Sequence, residues 1–330
     1  VALLHEFFDA DNVEDSYDAA IEEEVWGGGF GASDYVSPVD SILVHSPGHE
    51  VELLAHARYD EAAGTLVLKD GKGRARSYFQ GRELPDFELM RSQHAALVQL
   101  LSDNGIAVHD YTVDPQIWGN RLFTRDPALI TPHGAILCRM SGFFRQGETI
   151  IIEKTLADLQ IPIIGAIQGR GFIEGGSFSI INPHTAVIGR SVRNNDEGIE
   201  QLRWLLALQG LELLVVDVPA DKIHLDEMFL MLSYDKALVD TRIIPHWFLR
   251  KLRDMGIEAI EVDPEDPPLT NNCIAIAPGK IIFPASGVRT MDALERRGLQ
   301  ILPVDVSELN KMGGSIHCLT LPLHRKARVA

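Results

Sequence analysis

Cysteine is scarce in this chain: Cys138, Cys273 and Cys318 are the three in 330 residues, far apart and odd in number. No disulfide framework follows from that count, and no CxxC or Cys/His spacing points to zinc or any other metal. Nothing in the pattern calls for a cofactor. The chain also lacks a run of about 18 apolar residues, which argues against a membrane span. Basic residues are in deficit, 30 Lys and Arg against 47 Asp and Glu, for a net charge of −17. Such a balance disfavours nucleic acid and anionic membrane as partners; it serves solubility and would draw in small cations. The low cysteine content fits a reducing compartment, so a cytoplasmic protein is expected. The sequence opens on Val1, which marks it as trimmed and leaves a removed targeting segment open.

What is present is an ordinary globular composition, 45% hydrophobic and 23% charged, with enough length to bury a large core. The informative feature is a recurring apolar hairpin. ALITPHGAILCR (128–139), FSIINPHTAVIGR (178–190), MFLMLSYDKALVD (228–240) and CIAIAPGKIIFP (273–284) each join two β-rich runs through a Pro, Gly, Asn or Asp turn. Their starts lie about 45–50 residues apart, an internal period. Behind them come ETIIIEKTLADLQ, EGIEQLRWLLALQG, PHWFLRKLRDMG and TMDALERRG, each with helical spacing, three of them closing on Gly. Another apolar run follows each helix: IPIIGAI, LELLVVDV, IEAIEVD and LQILPVDV. The unit is strand–turn–strand–helix–strand.

A fifth unit opens with SILVHSPGHE (41–50), continues through a helix over 87–105 and ends on IAVHDYTV (106–113). Its hairpin is expected to be stretched by a charged, Gly-rich insert around 55–86, with GGSIHCLTLPL (313–323) closing the set. Five such units predict an α/β fold arranged as a closed, propeller-like ring. Residues 1–38 read as an acidic, Gly-rich N-terminal arm, in which WGGGFGASDY (26–35) would border the site, act as a lid or lie in solvent. Residues 39–330 read as one catalytic domain.

The loop between each closing strand and the next hairpin carries the polar residues. The first holds Arg125 and Asp126, the second Glu174 before two glycines, and the third His224, Asp226 and Glu227. The fourth holds Asn271 and Asn272, and the fifth ends on Cys318. Units set about an axis would bring these loop ends into one pocket. Cysteine attacks as thiolate, and a nearby cation favours that form. His224 is the natural proton carrier. Three carboxylates in one pocket are costly unless a cation neutralises them, and a flat guanidinium suits paired carboxylates. The set therefore points to attack by Cys318 on an amidino or guanidino carbon held between carboxylates.

These residues sit in segments that resemble the guanidino-group-modifying superfamily of arginine deiminases, dimethylarginine dimethylaminohydrolases and amidinotransferases. The matching stretches are SILVHSPGHEVELL (41–54), FTRDP (123–127), IEGGS (173–177), VIGRSVRNN (187–195), IHLDEMF (223–229), NNCIAIAPG (271–279) and GGSIHCLTLPL (313–323). The resemblance implies the pentein fold, a five-bladed α/β propeller of five ββαβ repeats about a pseudo-five-fold axis. It implies that Cys318 is the nucleophile that forms an amidino-thioether and that His224 is the general acid/base. Glu174 would work with that histidine on guanidinium and water, and Asp126 and Asp226 would grip the guanidinium nitrogens. Arg193 would bind a substrate carboxylate, and Asn272 would line the pocket.

The expected activity is hydrolysis of a C–N bond in a small cationic guanidino substrate. The alternatives are transfer of the amidino group to an acceptor amine, and hydrolysis of an amidine-like or ring C–N compound. A non-catalytic binder of this fold would not need the Cys/His/carboxylate set. Assembly of like chains is compatible with the sequence. Two departures from the family point away from free arginine: Ser177 stands where an aspartate is usual, and Lys311-Met312-Gly313 offers no arginine ahead of the last glycines.

Overall fold

The computed structural model describes residues 24–27, 29–48, 50–78, 82–112 and 120–327. The front of the expected arm, 1–23, lies outside the described residues.

The repeated hairpins form as the alternating and continuous apolar runs require. The strands are β6 (Ala128–Thr131) with β7 (Gly134–Leu137), β9 (Phe178–Asn182) with β10 (Thr185–Arg190), β12 (Phe229–Ser233) with β13 (Lys236–Val239), and β15 (Ile274–Ala277) with β16 (Lys280–Pro284), each pair antiparallel. A helix then crosses over to a third strand that pairs parallel to the second: β8 (Ile163–Ala166), β11 (Glu212–Asp217), β14 (Glu258–Glu261) and β17 (Gln300–Val304). Parallel pairing needs such a crossover, which is why a helix recurs at this point. The result is four separate three-stranded sheets of one topology.

The fifth sheet is built from both ends of the sequence. β1 (Val39–Leu43) pairs parallel with β5 (Ala107–His109) and antiparallel with β18 (Leu321–Arg325). The stretched hairpin expected at the front is therefore absent: SILVH supplies one strand, and the chain's last strand supplies its antiparallel partner. The insert folds on itself as a small antiparallel sheet, β2 (Arg58–Asp60), β3 (Thr65–Lys69) and β4 (Ala75–Tyr78).

Burial decreases outward across each sheet. β6 and β12 are buried along their whole length, whereas β8 is half-buried with Ile163 exposed and β14 is exposed except for Ile260. The first strands β6, β9, β12 and β15, with β18 as their counterpart in the fifth sheet, lie to the interior, and the helices lie outside them: α1 (Glu50–Leu54) ahead of the insert, then α2 (Phe87–Asp103), α3 (Glu148–Asp158), α4 (Asp196–Ala207), α5 (His246–Asp254) and α6 (Val288–Glu295). Their apolar stripes follow the 3.6-residue period; in α4 the buried face is Ile199, Leu202, Leu205 and Leu206, and Asn195 caps the first turn by accepting from the Gly198 N–H. A four-residue helix, α7 (Ser307–Asn310), precedes the last glycines. Among the described residues no helix is long and apolar enough to cross a membrane.

All five crossover helices stop in the same way. The N–H groups of Ile106, Ile161, Leu211, Ile257 and Leu299 reach back to the carbonyls of Leu101, Leu156, Leu206, Leu252 and Leu294. All five donors are buried apolar residues, so each stop also seals the core. The residue before each must adopt a left-handed conformation, and four of the five are Gly105, Gly210, Gly256 and Gly298. The fifth is Gln160, at φ 56°.

The C-terminal part of the expected arm is built into the core. Gly31 donates to the Leu323 carbonyl and accepts from the Arg325 N–H, Ala32 donates to Thr131, and Tyr35 donates to Ile180. Val36 and Asp34 are fully enclosed. This stretch laces β18, β6 and β9 together instead of lying in solvent.

A side chain in the left-handed region costs roughly 1–2 kcal/mol, partly offset in glycine by its greater chain entropy. Gln160→Gly is therefore expected to stabilise the protein by about 0.5–1 kcal/mol. Urea denaturation measures this, and a loss of stability would show that the Gln160 side chain contributes more than its backbone costs.

Candidate active site

Each loop singled out in the sequence ends just before a first strand, so its side chains collect at one end of the interior. Asp126 lies two residues before β6. Glu174 and His224 are each followed by a single 3-10 turn, Gly175–Ser177 and Leu225–Glu227, that leads into β9 and β12. Asn272 and Cys318 precede β15 and β18. Asp126, Arg193, His224, Asp226, Asn272 and Cys318 line one cavity of about 270 Å³, together with Phe123, Phe144, Arg145 and Met312. Glu174 lies beneath its wall, wholly buried.

The carboxylates differ in how their oxygens are used. Asp126 accepts from Arg145 Nη1 at 2.7 Å through Oδ2 and from the Gly176 N–H at 3.0 Å through Oδ1. Glu174 Oε1 accepts from the Ser141 N–H and hydroxyl, and Arg193 Nη1 reaches both of its oxygens at 3.3 Å. Its Oε2 lies 2.9 Å from His224 Nε2. Asp226 Oδ2 pairs with His317 Nδ1 at 2.8 Å and lies 3.6 Å from Cys318 Sγ. Asp226 Oδ1 is buried with no hydrogen-bond partner among the described residues. A buried, unsatisfied carboxylate oxygen is costly and marks a place where a donor is wanted.

The charges follow from these contacts. Burial alone would raise the Glu174 carboxyl, but the hydrogen bond from His224 and the charges of Arg193, His224 and Arg145 outweigh it and hold it below the usual range. Burial would lower His224, yet Asp126, Glu174 and Asp226 raise it to about 9. His224 is thus an imidazolium at neutral pH, with Nε2–H donating to Glu174. Its other nitrogen, Nδ1, is 3.8 Å from Asp126 Oδ1. His317 is the reverse case: burial and the Arg125 charge push it down to about 4, so it is neutral and donates through Nδ1 to Asp226. Burial, then Asp226 and Asp126, push the Cys318 thiol well above its ordinary value. Asn272 fixes the cysteine from two sides, its Nδ2 3.3 Å from Sγ and its Oδ1 accepting the Cys318 N–H at 3.2 Å.

Asp126, Glu174 and His224 bring candidate ligand atoms within 4.8 Å of one another. Every carboxylate oxygen in that group already accepts from an N–H or O–H donor, and two of the donors are guanidinium groups that oppose a metal ion by charge.

Ser177 and Lys311 do not line the cavity. The Ser177 hydroxyl accepts from Asn194 Nδ2 at 2.6 Å, and Asn194 Oδ1 in turn accepts the Glu174 N–H. Lys311 pairs with Glu308. Sequence reasoning passed over Arg145, Ser141, Asn194 and the pairing of His317. Arg145 offered one signal, three residues ahead of Glu148, which it also binds through Nη2 at 2.7 Å.

The two glycines after Glu174 are required by close approach. A Cβ on Gly176 would lie 2.5 Å from His224 Nδ1 and 3.0 Å from Asp126 Oδ1, and one on Gly175 would lie 2.1 Å from the Arg125 carbonyl oxygen. Gly176→Ala is expected to displace the His224 ring and lower turnover by roughly 10²-fold, as a misplacement of about 1 Å does to catalytic groups. Steady-state kinetics on a folded variant tests this; unchanged kcat would show that the ring position is not critical.

A family model described as arginine deiminase matches residues 100–258 and 253–325. The dimethylarginine dimethylaminohydrolase of Pseudomonas aeruginosa is 30% identical over 239 residues, covering 72% of this chain and 89% of the relative. A structure of dimethylarginine dimethylaminohydrolase from Pseudomonas aeruginosa complexed with citrulline superposes with a TM-score of 0.66 at 23% identity, over 86% of this chain and 99% of the other. An amidinotransferase from Microseira wollei superposes with a TM-score of 0.71 at 13% identity, over 91% and 98%. The chain is an α/β protein of the fold those structures share, and it belongs to the arginine deiminase family within the guanidino-group-modifying superfamily.

Proposed function

We propose that the protein is a hydrolase that cleaves a C–N bond of a small cationic guanidino substrate through a covalent amidino-thioether on Cys318. The carrying observation is Asp226, which lines the same cavity as His224: its Oδ2 lies 3.6 Å from the Cys318 sulfur, and its Oδ1 is buried with no partner among the described residues. A guanidinium N–H satisfies that oxygen, and the planar cation then lies next to the nucleophile. On this reading the five sheets form a five-bladed ring about a pseudo-five-fold axis, residues 39–330 act as one catalytic unit, and 31–38 fasten it.

Asp226 and Asp126 grip the guanidinium nitrogens; Asp126 does so with the lone pairs left over from Arg145 and Gly176. The thiolate of Cys318 attacks the central carbon. His224 donates its proton from Nδ1 to the departing nitrogen, which leaves as ammonia or an amine. Glu174 holds the ring through Nε2 and favours the imidazolium. The neutral imidazole then takes a proton from water as that water attacks the amidino-thioether, and the thiolate leaves. Arg193, partly open to the cavity, takes a substrate carboxylate with the N–H groups not spent on Glu174. Asn272 keeps the sulfur aligned.

Turnover of arginine, methylarginines, agmatine and guanidino acids, with and without glycine, tests the reaction class. Ammonia or amine release without acceptor is expected, and none from Cys318→Ala. Strict dependence on the acceptor would move the assignment to amidino transfer; release only from ring or amidine-like C–N compounds would change the substrate class. Unchanged activity in Cys318→Ala would refute the nucleophile.

The ionisations set the pH profile. The reactive pair, thiolate with imidazolium, needs one proton fewer than the resting thiol and imidazolium. Accordingly kcat/KM should rise about tenfold per pH unit through neutrality and bend near pH 9, where His224 loses its proton. A flat profile from pH 6 to 8 would mean that the free enzyme already holds a thiolate. A cationic haloacetamidine should label Cys318 ahead of Cys138 and Cys273, both buried with raised thiol values. Equal labelling of the three would count against a tuned nucleophile.

A further inference from the structure

Behind the candidate site lies a second, much smaller chamber of about 10 Å³, lined by Tyr35, Arg125, Ser179, Cys273, His317 and Arg325 among others. Two arginines meet this chamber, and both are almost wholly buried. Arg325 donates Nη1 to the Ser37 carbonyl at 2.6 Å, while its Nε is buried with no partner among the described residues. Arg125 donates Nε to the His317 carbonyl at 3.3 Å, and its guanidinium lies over the Tyr35 ring with its carbon 5.7 Å from the centroid. Among the described residues neither guanidinium has a carboxylate at ion-pair distance. Asp34, whose charge acts on Arg325, spends both oxygens on Val36 N–H, Ser37 N–H and the Ser37 hydroxyl. The Tyr35 hydroxyl is likewise spent, on the Ile130 carbonyl.

Two guanidinium charges out of water with no carboxylate in direct contact are expensive: Asp226 and Asp126 act on Arg125, and Asp34 on Arg325, only from beyond ion-pair distance, while the Arg125 charge pushes Arg325 toward losing its proton. Burial and then the Arg125 charge lower Arg325 to about 9, which is low for a guanidinium. A neutral water filling the chamber would accept hydrogen bonds but bring no negative charge into contact with either guanidinium. The chamber holds about one water-sized sphere, which shuts out polyatomic anions such as carboxylates and phosphates. A halide fits both demands, because a spherical anion accepts from every N–H directed at it.

We propose that this chamber binds a single monoatomic anion, chloride in ordinary solution, between Arg125 and Arg325. The site is separate from the catalytic cavity but joined to it through one strand entry: Arg125 holds the His317 carbonyl through Nε and the Cys318 carbonyl through its backbone N–H. An anion there balances the arginine pair and steadies the backbone on which the nucleophile sits.

Crystals of the unaltered protein soaked in sodium bromide test this directly, by anomalous scattering at the bromine edge. One bromide peak between the two guanidinium groups is expected; a chamber that shows only water or no density at high bromide overturns the proposal. In solution, the thermal midpoint should rise by about 2 °C or more in sodium chloride or bromide over sodium gluconate at equal ionic strength. Equal midpoints in the halide and gluconate salts would also overturn it. Arg325→Met should remove the halide-specific rise; should that variant fail to fold, the two measurements on the unaltered protein still decide.

Discussion

The candidate site depends on satisfying three carboxylates that are held out of water. Asp126, Glu174 and Asp226 are each at most 2% exposed, and a buried carboxylate is costly unless donors satisfy it. Each is held by a different set of donors. Arg145 holds Asp126, His224 and Arg193 hold Glu174, and the neutral His317 holds Asp226. Asp226 is the least satisfied, since imidazole supplies a hydrogen bond without a full positive charge and Oδ1 receives none from the described residues. The negative charge left over is concentrated beside Cys318, where an incoming cation would gain most from it.

The fold makes this arrangement affordable by repetition. One three-stranded unit, continuous in four sheets and assembled from both ends of the chain in the fifth, delivers a loop end to the head of β6, β9, β12, β15 and β18. The five crossover helices all close through the same reach-back hydrogen bond, so each third strand starts from an equivalent position. Loops that differ in length and composition therefore still converge. The chain can vary the chemistry of each loop, a carboxylate here and a histidine or cysteine there, without altering the sheet behind it.

Much of this was legible in the sequence because it is local. The hairpins carry their turn residues, the helices carry apolar stripes and Gly stops, and Asp126, Glu174, His224, Asp226, Asn272 and Cys318 occupy equivalent positions in successive units. What escaped was non-local. That 313–323 closes the set is legible, but the pairing of β18 with β1 joins residues nearly the whole chain apart, and no periodicity announces that partner. The insert was taken for a lengthened hairpin because charge and Gly mark a loop but do not say whether it folds on itself. Arg145 reaches Asp126 from the far side of a hairpin, and Asn194 joins Ser177 to the Glu174 backbone from the loop beyond β10. Such partners are defined by what they meet in space. The substitution at Ser177 looked like a lost pocket charge, whereas its hydroxyl is a buried link in that chain of hydrogen bonds.

On the proposed reading, the resting charges are arranged for the substrate's arrival instead of for a pre-formed thiolate–imidazolium pair. Cys318 is surrounded by Asp226 and Asp126 and is held as a thiol, while the same carboxylates make His224 a cation. A guanidinium placed between those carboxylates reverses their effect on the sulfur, because a positive charge then lies closer to it than either negative one. It would also weaken the pull that keeps His224 protonated, which favours release of that proton to the leaving nitrogen. A neutral molecule of the same shape would do neither. Selectivity for cationic substrates would thus come from activation as well as from binding, since the ligand that fits the carboxylates is the one that ionises the nucleophile.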